Sequence, residues 1–377
     1  MDYDYELFFV PLWQIKIVFM KKCLFTLAAL LLITISAKAQ KITVVDSDGN
    51  GIHLVTVLDE DGNMIGVTDL SGTILDVKGA GKVVLTHVAF KSKLVDVAAL
   101  QGGKVTMEDL DYGLAEIVVM PKPLIYVETY YRAYAFANDS LRYYCAGILP
   151  NAYNKEKKKV KVGSYLEGYG DFGRNMDIRT TWSVRMQRLH GGRIHNCGAK
   201  DLQKGGEMSK KYFTTLTDEG KGRQRVSNPE GTVGFIETDK DKMHMTLDAG
   251  KMQMYRNKRL GQDRLLKARE KKEYDYKFNE IFNLNEEGNA TMADYVMSSD
   301  HWEWNGSKGR MKFIIETYAI EHAYIDAKDF KEKKKELKKK YVSPMKLDEL
   351  EAFATSHHIP ALTPTMRRAI EGLKKQK

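Results

Sequence analysis

The chain is 377 residues long, 43% hydrophobic and 29% charged, with a net charge of +9. This apolar content excludes a disordered chain and supports two domains with cores of their own. The basic balance raises nucleic acid as a partner, which the first predicted element puts out of reach.

Residues 20–39 read as an export signal. Met20, Lys21 and Lys22 form a basic start, CLFTLAALLLITIS an apolar run, and Ala37, Lys38 and Ala39 a small-x-small cleavage site. The acidic and aromatic residues 1–19 stand outside this three-part pattern, so the mature chain is expected to begin at Gln40. Cys23 lies at the start of the apolar run instead of at the cleavage point, which argues against a lipid anchor. No later stretch reaches about 18 uninterrupted apolar residues, so no transmembrane segment is expected in the mature chain. Export to the periplasm or the outer membrane puts Cys145 and Cys197 in an oxidising compartment. A disulfide between them would contribute roughly 4 kcal/mol in the chain-entropy model; the alternative is two buried thiols.

Residues 40–120 read as short strands separated by turns. KITVVD, HLVTVLD, MIGVTD, GTILDV, KVVLTHVAF, KLVDVAAL, KVTMEDL and AEIVVM are rich in β-branched and aliphatic residues and are mostly bounded by Gly, Asp, Asn or Ser. That spacing predicts an Ig-like β-sandwich. The stretch DEDGNMIGVTDLSG at 59–72 raises calcium as a ligand. Counted as an EF-hand loop from Asp59, it has Met64 where the bend needs glycine and Leu70 where the cage needs glutamate. It is therefore expected to be a pair of turns.

The same residues carry a resemblance. The run VVDSDGNGIHLVTVLDEDGNMIGVTDLSGTILDV, then KVVLTHVAF and the closing LAEIVV at 114–119, resembles the carboxypeptidase-regulatory-like β-sandwich. That module stands at the N-terminus of many exported Bacteroidetes envelope proteins. The resemblance implies an accessory module without zinc or catalytic groups. It does not imply transport, because no receptor plug follows. YYRAY, NDSL, YYCAGI and HIPAL are similar to uncharacterised exported Bacteroidetes proteins that join this sandwich to an antiparallel domain.

Pro121 and Pro123 predict a stiff linker over 121–125. Charge changes sign across it: residues 40–120 hold 6 basic and 12 acidic side chains, whereas residues 121–377 carry a net +14. Such asymmetry points to different surfaces or partners. From 126 to 325 an antiparallel β-rich domain is expected. YVETYYRAYAFA is compatible with a helix, and strands are expected from Ser140 onward at KVKVGSYLEGY, IRTTWSVRMQRL, TVGFIET, KMHMTLDA, YDYKFNEIFNLN, ATMADYVMSSDHWEW and MKFIIETYAIEHAYI. Residues 326–377 then shift to helical period at DAKDFKEKKKELKKK, LDELEAFATSHH and TPTMRRAIEGLKK. The fold class is mainly β, α+β overall. An outer-membrane barrel fails, because lysine-dense helices cannot be membrane strands.

The search for chemistry is mostly negative: HExxH, G-x-S-x-G, GxxxxGK[ST] and CxxC are all missing from the sequence. Ser343 to Lys346 matches S-x-x-K without a KTG partner and reads as coincidence. His190, His195 and Cys197 are weak metal candidates with no standard zinc spacing. No metal and no cofactor is therefore assigned. In His301-Trp302-Glu303-Trp304, alternation puts both tryptophans on one face. They are either a sugar-binding platform or core, with a wet polar face behind them; the second is expected. Lys331, Lys334, Lys335 and Lys338 form a basic run that can face an anionic membrane or glycan surface, with Glu332 and Glu336 expected to pair along the helix. Three functions follow. The first is a non-enzymatic envelope protein, its sandwich a docking or spacer module and its second domain a binder of an envelope protein or anionic surface. The others are a half-barrel carrier of an apolar ligand and an enzyme with an unrecognised site.

Overall fold

The computed structural model describes residues 41–75, 77, 81–110, 122–154, 159–162, 166–170, 206–239, 241–261, 274–284, 290, 294–306, 309–340 and 346–374. The expected export signal, the expected linker up to Pro121, AEIVVM and IRTTWSVRMQRL lie outside these residues, as do His190, His195 and Cys197.

Among the described residues, the first part of the chain forms seven strands: β1 (Ile42–Val45), β2 (Thr56–Leu58), β3 (Met64–Val67), β4 (Thr73–Ile74), β5 (Lys82–His87), β6 (Phe90–Asp96) and β7 (Lys104–Thr106). They build a three-stranded sheet, β4-β1-β7, and a four-stranded one, β3-β2-β5-β6, which share a core around Val44, Val57 and Leu85. The turns between strands repeat one design. In DSDGN, DEDGN and DLSGT, the first aspartate (Asp46, Asp59, Asp69) accepts from the backbone N–H two and four residues on, at 2.8–2.9 Å. The fourth residue of each is a glycine with φ between +73° and +88°, the left-handed step that closes such a hairpin. The three carboxylates are thus committed to the chain's own amides.

The second part is mainly one antiparallel sheet. Its strands are β8 (Leu124–Ala137), β9 (Ser140–Asn154), β10 (Lys159–Val162), β11 (Leu166–Gly170), β12 (Thr215–Gly220), β13 (Arg223–Asn228), β14 (Gly231–Asp239), β15 (Lys242–Asp248), β16 (Tyr274–Asn283), β17 (Tyr295–Gly306) and β18 (Gly309–Ile325). The order is β10-β9-β8-β18-β17-β16-β15-β14-β13-β12, with β11 also on β9. Among the described residues, two short helices, α1 (Glu207–Tyr212) and α2 (Ala249–Arg259), and three C-terminal ones, α3 (Ala327–Lys340), α4 (Leu347–Ser356) and α5 (Pro364–Lys374), join these strands in an α+β, mainly β architecture.

β8 corrects the helix reading of YVETYYRAYAFA. It lies between β9 and β18 and is buried on both faces, so its sequence lacks the apolar–polar alternation that marks a half-exposed strand. Strands β12 and β13 were not legible either, because β12 is an exposed edge and its residues are polar. Helix α2 carried a readable signal: Asp248 accepts from Lys251 N–H at 2.8 Å as its N-cap.

Each face of the sheet has its own neighbours. Even-numbered residues of β8, Tyr130, Tyr134 and Phe136, join one core with the sandwich and with Leu350, Met366 and Ile370 of the C-terminal helices. This is the docking face. Odd-numbered residues, Tyr131, Ala133 and Ala135, join Trp302, Phe313 and Ile315 on the opposite face.

At the hairpin between β2 and β3 the sandwich makes three contacts with the rest of the chain. Met64 N–H donates to Asp139 O at 2.8 Å, and Arg368 donates to Glu60 O at 3.2 Å. Gly62 packs so tightly on α5 that a Cβ there would stand 2.8 Å from Ala369 Cβ. The turn suspected of holding calcium is a contact with a helix.

Candidate functional site

Where sandwich, sheet and C-terminal helices meet, a crevice of about 40 Å³ opens on the docking face, lined by Thr86 and His87, by Arg132 and Tyr134, by Glu316, and by Thr363. That volume suits a few water molecules or one very small solute. Arg132, on a central strand, is fully buried. Its guanidinium donates to Glu351 at 2.8 Å and to Pro360 O at 2.6 Å. The other Glu351 oxygen accepts from Leu362 N–H at 2.8 Å. One ion pair therefore ties β8 to α4 and to the loop leading into α5. Tyr134 donates to Glu316 at 3.1 Å, and burial holds the Glu316 carboxyl above its usual range.

Beside the crevice four histidines gather. The register of β15, β16 and β17 puts His244 and His301 on the docking face as diagonal neighbours of Asn279. From the sandwich, His87 stands over Asn279 with Nε2 3.0 Å from its carboxamide. His87 Nδ1 accepts from Ala89 N–H at 3.1 Å, so the neutral ring carries its proton on Nε2; Asn279 presents its carboxamide nitrogen there, and turning the amide over would offer its otherwise unpartnered oxygen as the acceptor. His53, behind it, bonds Thr68 O through Nδ1 at 3.1 Å. Burial pushes His87 down to about 3, His53 and His244 to about 4, and His301 well below the ordinary value.

His301 corrects the expectation of a wet polar face behind the tryptophans: the sandwich covers it. Trp302 is buried and stacks on Tyr276 with ring centroids 4.8 Å apart, and Trp304 stacks on Phe313 at 5.1 Å. Cys145 is buried in β9; its candidate partner Cys197 lies outside the described residues. On the opposite face Tyr131, Thr317, Ser298 and Glu280 form a buried band across four neighbouring strands, with Asp300 one row on, accepting from Tyr276 at 2.9 Å. No sequence motif announced this band, because its members come from four separate segments.

Helix α3 buries Phe330 and Leu337. Lys333 reaches Glu321 and stands 4.5 Å over the Tyr126 ring, and Asp329 is engaged by Lys122 at 3.0 Å. Lys331 and Lys335 are exposed and Lys334 is half-buried; the Lys338 side chain lies outside the described set. Among the described residues, Glu332 and Glu336 make no ion pair, contrary to the pairing expected from their spacing; in full solvent such pairs are worth too little to hold their side chains. Among the described residues, no group of three or more His, Cys, Asp or Glu side chains is arranged to hold a metal ion. Likewise no helix is long and apolar enough to cross a membrane.

Compared with known families and with curated proteins, the chain matches no family model and no curated sequence.

Proposed function

We propose that the chain is an exported cell-envelope binding protein without enzymatic activity of its own, which meets an anionic membrane or glycan surface through α3. The observation that carries this reading is the division of lysines on that helix. Lys333 is spent on Glu321 and Tyr126, while Lys331 and Lys335 point into water without an ion pair among the described residues. The apolar side of α3 is already used against the protein, so its basic side is the one left to face a partner. In this reading the sandwich docks on the sheet and the sheet acts as a rigid frame for the helices. A crevice of about 40 Å³ is far below the several hundred Å³ that a lipid-sized ligand needs, so this site gives a carrier no support.

The test is co-sedimentation of the full mature chain with anionic and neutral vesicles. Binding to anionic vesicles at low salt, release at high salt, and a loss of about 1 kcal/mol per lysine in a K331Q/K334Q/K335Q/K338Q series is the expected result. Equal binding to both vesicle types, or an unchanged affinity in the quadruple variant, overturns it.

A further inference from the structure

We propose that the histidines at the sandwich–sheet contact form a proton-operated latch: neutral, they let the sandwich sit on the docking face, and protonated, they release it and open the Arg132–Glu316 crevice. His87 and His53 come from the sandwich, His244 and His301 from the sheet, and Asn279 stands at the centre. Docking buries His87 against Asn279 of the sheet, so a charged ring there loses its water when the sandwich sits down. The His87 Nδ1 is an acceptor for Ala89 N–H, and a proton added there would point at that N–H. His53 Nε2 and His301 Nδ1 are buried without a hydrogen-bond partner among the described residues, so a charge on either ring would be poorly solvated.

Lys277 of β16 lies directly opposite His301 and adds a positive charge to the site. Near His244, Lys242 opposes protonation while Asp239 and the sandwich's Asp46 favour it. Asp69 favours it at His53, but that carboxylate is held by its own turn. Burial outweighs these carboxylates at both rings, consistent with their depressed values.

The sign follows. Rings released into water titrate near 6.5 and docked rings at about 3 to 4, so the docked state binds fewer protons between these limits. Docking is complete above about pH 6.5 and weakens as pH falls, about tenfold per pH unit for each ring that titrates. The strand ladders of sandwich and sheet lie within each body, so apart from the Met64 N–H to Asp139 O bond, which must break, the contact can part without either unfolding.

The experiment is small-angle scattering and far-UV circular dichroism on the full mature chain from pH 7.5 to 4.5. An increase in radius of gyration with unchanged dichroism is expected, reversible on returning to pH 7.5. In H301Q and H244Q the steepness should drop by about one proton each. H322Q is the control: His322 is also buried and depressed to about 4, but it lies on β18 away from the contact, and its variant should open like the parent. No opening above pH 4.5, or loss of dichroism in the same step, overturns the latch. So does equal steepness in the parent and both contact variants. The parent profile decides even if a variant does not fold.

Discussion

Arg132 shows how much one residue can hold. A guanidinium at the middle of a sheet is costly to bury, and it persists because Glu351 and Pro360 O meet it. Arg132→Met should cost about 3–5 kcal/mol, since it leaves Glu351 buried without its partner. R132M/E351L should cost clearly less than the sum of its single variants, by urea denaturation of all three. Near-additive costs would show that the pair is not coupled. A second residue-scale prediction concerns Asp69. Burial raises its carboxyl, but hydrogen bonds from Ser71 and Thr73 outweigh this and leave it below its usual value. Its contribution to stability is therefore present above the unfolded value of 3.8 and is lost as pH falls through the folded one. The acid limb of a stability profile for Asp69→Asn should be flatter than the parent's; identical limbs would remove the carboxylate from the account.

At the scale of the element, the aspartate turns explain why local chemistry was readable. The sequence D-x-x-G-x contains both the acceptor and the glycine that its geometry requires, within five residues. Calcium should leave the melting temperature unchanged, because these carboxylates already bond backbone amides; a calcium-dependent rise would overturn the turn reading. Gly62 adds a long-range constraint to its turn. Gly62→Ala combines a positive φ of 84° with a Cβ placed 2.8 Å from Ala369. A loss of about 1–3 kcal/mol is expected from the strain and overpacking together. G62A/A369G should recover part of it if the contact with α5 matters, and none if backbone strain alone does. Strand β8 is the opposite case. Nothing within YVETYYRAYAFA distinguishes a doubly buried strand from a helix, and its partners lie more than a hundred residues away on β18 as well as next door on β9.

For the whole molecule, the apolar core runs from Val57 and Leu85 of the sandwich through Tyr130 and Tyr318 of the sheet to Leu350 and Ile370 of the helices. A contiguous core couples its parts. At pH 7.5, where the interface histidines are neutral, calorimetry should show one transition with equal calorimetric and van't Hoff enthalpies. Two well-separated transitions at that pH would mean that the sandwich melts as an independent body.

The sequence alone was sufficient for the short strands and turns of the sandwich, for most strands of the second part and for all three C-terminal helices. These depend on periodicity and turn chemistry within a few residues of one another. It also carried the contrast between an acidic first part and a basic second part, because charge is additive along the chain. Only the tertiary structure decided which polar side chains leave water. His301 reads as the wet side of a strand until the sandwich covers it, and the buried charge of Arg132 is met by Glu351 from 219 residues away. Burial is a property of what packs against a residue, and those neighbours are distant in sequence.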